Sequence, residues 1–62
     1  MITTVTLKMN TDRVVTRFGL GAAEPFTYWD FPSYIKEALH LRSIVQVQYN
    51  TETEEYGPLL GV

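Results

Sequence analysis

The sequence predicts a small α+β domain, an antiparallel sheet of three or four strands with one helix packed on one face. Three observations carry this. Residues 3–9 and 44–49 alternate apolar and polar side chains with period two, residues 31–42 repeat their apolar positions at helical spacing, and turn-forming residues separate these stretches. The order is β-β-α-β, with a fourth strand available near the C-terminus.

From Thr3 to Met9, Val5, Leu7 and Met9 alternate with Thr4, Thr6 and Lys8, the pattern of a half-buried strand. Asn10, Thr11 and Asp12 form a turn. A second strand follows, in which Val14, Thr16, Phe18 and Leu20 alternate with Arg13, Val15, Arg17 and Gly19. Placing the larger apolar residues inward gives a hairpin whose core face carries Val5, Leu7, Val14 and Phe18 and whose solvent face carries Lys8, Arg13 and Arg17. Gly19, Gly21, Ala22, Ala23 and Pro25 then end the strand pattern.

The helix is expected over Phe31–Arg42. Asp30 is placed to cap its free N–H groups, and Pro32 falls in the first turn, where a missing N–H costs nothing. Trp29 and Tyr34 have the spacing of a hydrophobic staple. Phe31, Ile35, Ala38 and Leu39 form one apolar stripe, with Ser33, Lys36, Glu37 and His40 off it, and Arg42 sits near the negative end of the helix dipole. The β-branched run from Ile44 to Tyr49 marks a central strand. Asn50–Glu52 reads as a turn into a weaker strand around Thr53–Tyr56, and Pro58 bars the tail from an interior position there.

With 62 residues the chain is one domain, 1–62, and its alternation starts so near Met1 that it reads as a complete small protein. A domain this short buries only about 60% of the surface its unfolded chain exposes. Zero cysteines remove disulfides and thiolate sites, and one histidine cannot build a metal cluster, so no cofactor and no metal are expected. Without such staples, association with a second copy or a partner is the natural supplement to stability. No apolar run is long enough to span a membrane and no leader pattern precedes the first strand, so a cytoplasmic location is expected.

Net charge is −2, but it is unevenly distributed: residues 1–23 hold Lys8, Arg13 and Arg17 against Asp12, whereas residues 24–62 hold Lys36 and Arg42 against six carboxylates. The basic hairpin face, flanked by Thr4 and Thr6, could enter a major groove, although three cations are few for binding driven by counterion release. Glu52, Glu54 and Glu55 either imitate spaced phosphates or blunt an exposed edge. Phe26, Tyr28, Trp29, Phe31 and Tyr34 surround the helix start; Phe31 is expected inside and at least one of Phe26, Tyr28 and Trp29 partly exposed. Gly19-Leu20-Gly21 is an incomplete phosphate-loop signal and reads as a turn. His40 near Glu37 has no nucleophile tied to it by any motif and reads as a surface residue. The apolar tail Tyr56–Val62 either packs on its own sheet or docks on another chain.

These features point away from an enzyme and toward a small binding protein that occupies a surface of a larger protein, in the manner of a phage-type inhibitor or a small bacterial regulator. Its expected contacts are Phe26, Tyr28, Trp29, Glu52 and Glu54, and a homo-oligomer is expected. The competing reading is a β-ribbon nucleic-acid binder using Lys8, Arg13 and Arg17.

Overall fold

In the computed structural model, which describes residues 1–60, the chain forms β1 (Ile2–Met9), β2 (Val14–Phe18), β3 (Glu24–Thr27), a 3₁₀ turn (Tyr28–Asp30), α1 (Ser33–Arg42), β4 (Ile44–Asn50) and β5 (Glu55–Leu60). The strands make one antiparallel sheet in the order β3-β2-β1-β4-β5, so the expected α+β architecture is present with five strands instead of three or four. The extra strand is β3. Its segment Glu24–Thr27 offers one large apolar residue, Phe26, and includes Pro25, so it has little strand signal of its own. It pairs because the turn after β2 brings it back along that strand, at the edge, where an absent N–H is tolerated.

β5 begins later than the sequence suggests. The Asn50 side-chain oxygen accepts from the N–H groups of Glu52 and Thr53 at 2.9 and 3.3 Å, the Glu54 N–H reaches the Asn50 carbonyl at 2.8 Å, and Glu54 adopts φ 59°. Residues 51–54 are therefore a turn stabilised by an Asx contact. The apolar tail adds to its own sheet as the opposite edge strand, which is compatible with Pro58; Gly61 and Val62 lie outside the described residues.

The hairpin β1–β2 turns over Asn10–Arg13, with the Asn10 N–H bonded to the Val14 carbonyl at 2.8 Å and Arg13 in the left-handed region at φ 62°. This turn pairs Met9 with Val15 and Leu7 with Arg17. Paired residues share a face, so Val15 and Arg17 join Val5 and Leu7 inside, while Val14 and Phe18 point outward. The expected assignment of β2 is thus inverted. Register decides it, since a one-residue slip moves every side chain to the other face.

The helix starts at Ser33, capped by Pro32 without any side-chain bond; the Ile35 and Lys36 N–H groups reach the Pro32 carbonyl at 3.1 and 3.0 Å. Asp30 is not the cap. Phe31 precedes a proline and is held extended (φ −90°, ψ 155°), so the helix cannot begin before Pro32, and Asp30 ends the 3₁₀ turn instead. The expected stripe does pack inward: Phe31, Ile35 and Leu39 are buried against Val5, Leu7, Val15, Val45, Val47 and Tyr49. Ser43 closes the helix at φ 67°, donating to the Leu39 carbonyl, and its own carbonyl accepts from the Met9 N–H at 2.7 Å.

Candidate binding surface

Arg13, expected beside Lys8 and Arg17, does not share a surface with them. Its left-handed backbone sends the guanidinium over the aromatic rings after β3, 5.2 Å from the Tyr28 centroid and 5.9 Å from that of Trp29. Of the three, Lys8 is the one on the sheet face turned away from the helix. Arg17 lies in the core at 8% exposure. The three cations therefore occupy three different environments, and the basic ribbon expected from the hairpin is not formed.

Arg17 is held between the faces of Phe26 and Tyr49, 4.4 and 4.7 Å from their centroids. Its Nη1 donates to the Tyr56 hydroxyl at 3.1 Å, across β1 and β4, and its Nη2 lies 3.5 Å from Glu24 on β3. Among the described residues its Nε has no hydrogen-bond partner. Burial works against the charge, but the hydrogen bonds and attraction to Tyr56 and Tyr49 outweigh it and hold the guanidinium above its ordinary pKa. Arg17, Glu24, Phe26, Asp30, Phe31, Tyr49, Glu54 and Tyr56 line an open cleft of about 470 Å³. Of the expected contact residues, this cleft unites Phe26 with Glu54.

Glu52 is elsewhere, 3.3 Å from the N-terminal amine, with both groups exposed. Such a pair contributes little in water. Because residues 51–54 turn, Glu52 and Glu54 are not aligned along one extended strand as a mimic of spaced phosphates would need.

The remaining two expected residues, Tyr28 and Trp29, form the second focus. Tyr28 is buried, and its hydroxyl donates to the Lys36 carbonyl at 3.0 Å. Trp29 stands on it edge to face, with centroids 5.0 Å apart and an interplanar angle of 84°. It is nevertheless 65% exposed. Arg13 and the Lys36 ammonium, 5.7 Å from the Trp29 centroid, lie on either side in sequence and converge on the one ring. Because the helix is capped at Pro32, Trp29 and Tyr34 do not occupy the two staple positions; the Tyr34 hydroxyl instead donates to the Gly57 carbonyl at 2.6 Å and ties α1 to β5. Lys36 was missed by sequence reasoning because its only local signal was a position off the apolar stripe.

His40 is exposed on α1, and among the described residues no three His, Asp or Glu side chains are grouped as a metal site. Gly19 and Gly21 have φ of 115° and 96°, turn geometry at the end of β2. No helix among the described residues is long and apolar enough to cross a membrane. The class the described residues define is an α+β domain with one α-helix on a five-stranded antiparallel sheet. Compared with protein-family models, curated proteins and solved structures, the chain matches none.

Proposed function

We propose that this protein is a non-enzymatic binding protein that occupies a surface of a larger protein, as a phage-type inhibitor or small bacterial regulator does, with Trp29 as its anchor. The observation that carries the reading is a tryptophan exposed to 65% yet fixed from below by a buried tyrosine. Interfaces draw most of their energy from a few such residues, and Trp, Tyr and Arg are the types enriched among them. Fixing the ring beforehand reduces the ordering cost of binding. Arg13 and Lys36 beside it favour a partner surface that is acidic at the point of contact.

The test compares immobilised wild type, Trp29→Ala and Arg13→Glu in capture from bacterial lysate, followed by titration of any captured protein. Trp29→Ala should weaken binding by roughly 30-fold or more, the equivalent of about 2 kcal/mol for an interface anchor. Arg13→Glu should mainly slow association and reduce its salt dependence. A wild type that retains no protein but binds duplex or single-stranded DNA, with affinity falling steeply as salt rises, would sink the proposal.

A further inference from the structure

We infer that the sheet face turned away from the helix is the contact between two copies of this chain, packed face to face about a two-fold axis as a β-sandwich with the helices outermost. Among the described residues one helix covers one side of the sheet and leaves the other side uncovered. The other side presents Ile2, Val14, Phe18 and Ile44, with Phe18 42% and Ile44 52% exposed, between threonine and glutamine side chains. Among the described strand residues on that side, Lys8 and Glu55 are the only charges. Desolvating the face therefore strands few ions.

The occupant follows from size, charge and the state of the edges. The molecule measures 30 × 24 × 18 Å, and the shortest dimension matches one helix layered on one sheet. The broad face, 30 × 24 Å at its widest, spans at most roughly 700 Å², a little under the about 800 Å² per partner of a standard stable interface. Lys8 lies opposite Thr16 and Ile44, toward one end of the strands, and Glu55 lies opposite Asn50 at the other end. A two-fold axis running across the strands brings the Lys8 end of one copy over the Glu55 end of the second, so the same face is complementary to itself. Edge-to-edge pairing is disfavoured, since both edge strands contain a proline, Pro25 in β3 and Pro58 in β5. Trp29 and Lys36 belong to the helix layer, which such packing leaves free.

Sedimentation of the full chain from low to high micromolar concentration is expected to show a species of twice 7.1 kDa. Phe18→Lys and Gln46→Lys should each weaken the dimer by at least about 10-fold, because each copy then buries a like charge. Gln46 is exposed on the sheet face away from the core, so this variant decides the matter if Phe18→Lys fails to fold by circular dichroism. Lys8→Glu should weaken the dimer and Lys8→Glu with Glu55→Lys should restore it. The chain has one tryptophan, so its fluorescence reports separately on the other surface, and dimerisation should leave it unchanged. A monomer at all concentrations, a dimer indifferent to Gln46→Lys, or a blue shift of Trp29 on association would overturn the inference.

Discussion

Arg17 shows how one residue's role depends on the strand partner opposite it. Its position across from Leu7 places a cation in the core, where two aromatic faces, the Tyr56 hydroxyl and Glu24 compensate it. Tyr56→Phe removes one of those compensations and should destabilise by about 1–3 kcal/mol in denaturant melts. Arg17→Met removes the charge and its unpartnered Nε together, and should be nearly neutral or stabilising by about 1–2 kcal/mol, as buried charges replaced by apolar side chains often are. A large loss in Arg17→Met would mean that the charge itself holds the two ends of the sheet together. The tyrosines also set an alkaline limit. Burial raises Tyr56, against the opposing attraction of Arg17, and raises Tyr34, both above the ordinary 10.0. The folded state then keeps these protons at a pH where the unfolded chain loses them. Their contribution is complete below about pH 10 and is lost as pH rises through the folded values. Melting temperature should fall in that window, and less so in Tyr34→Phe.

At the scale of elements, caps and turns separate what looks alike in sequence. The helix begins at Pro32 because Phe31 is kept extended by the proline after it, so Asp30→Ala should cost well under the about 1 kcal/mol typical of a lost cap. Ile35→Ala, at the fully buried centre of the stripe, should cost about 2–5 kcal/mol. The stripe was legible in the sequence because helical periodicity survives an error of two residues at the start. Gly19 is more sharply constrained: a Cβ there would lie 2.9 Å from the Thr4 carbonyl oxygen and 3.3 Å from the Val5 Cα, with φ at 115°. Gly19→Ala should therefore destabilise by about 1–3 kcal/mol, as expected of a side chain forced into a sparsely populated conformation, and the loss should appear as a lower denaturant midpoint with unchanged slope.

For the whole molecule, two surfaces are separable. The sheet face carries apolar and uncharged polar residues with Lys8 and Glu55 toward its two ends, and the helix side carries Trp29 with Arg13 and Lys36. Trp29→Ala should cost about 0.5–1.5 kcal/mol of stability through the lost ring pair with Tyr28 and weaken partner binding by roughly 30-fold or more. Gln46→Lys should leave partner binding intact per chain and weaken self-association by at least about 10-fold. If the sheet face does join two copies, the melting temperature of wild type should rise with protein concentration and that of Gln46→Lys should not.

The sequence by itself determined the helix, the strands β1 and β4, the hairpin, the burial of Phe31 and the exposure of at least one aromatic beside it, because each rests on a local period or turn residue. The tertiary structure alone decided which side of β2 is inside, since the Arg13 turn sets a register that the pattern Val14, Thr16, Phe18 contradicts. It also decided that Glu24–Thr27 pairs as an edge strand and that the tail joins β4, because edge pairing depends on an existing neighbour more than on the segment's own residues. The candidate anchor was partly legible. Trp29 stood among the expected contacts, but its selection over Phe26 and Tyr28, and the placing of Arg13 and Lys36 around it, required the chain to fold back and bring the hairpin turn, the 3₁₀ turn and the helix to one point.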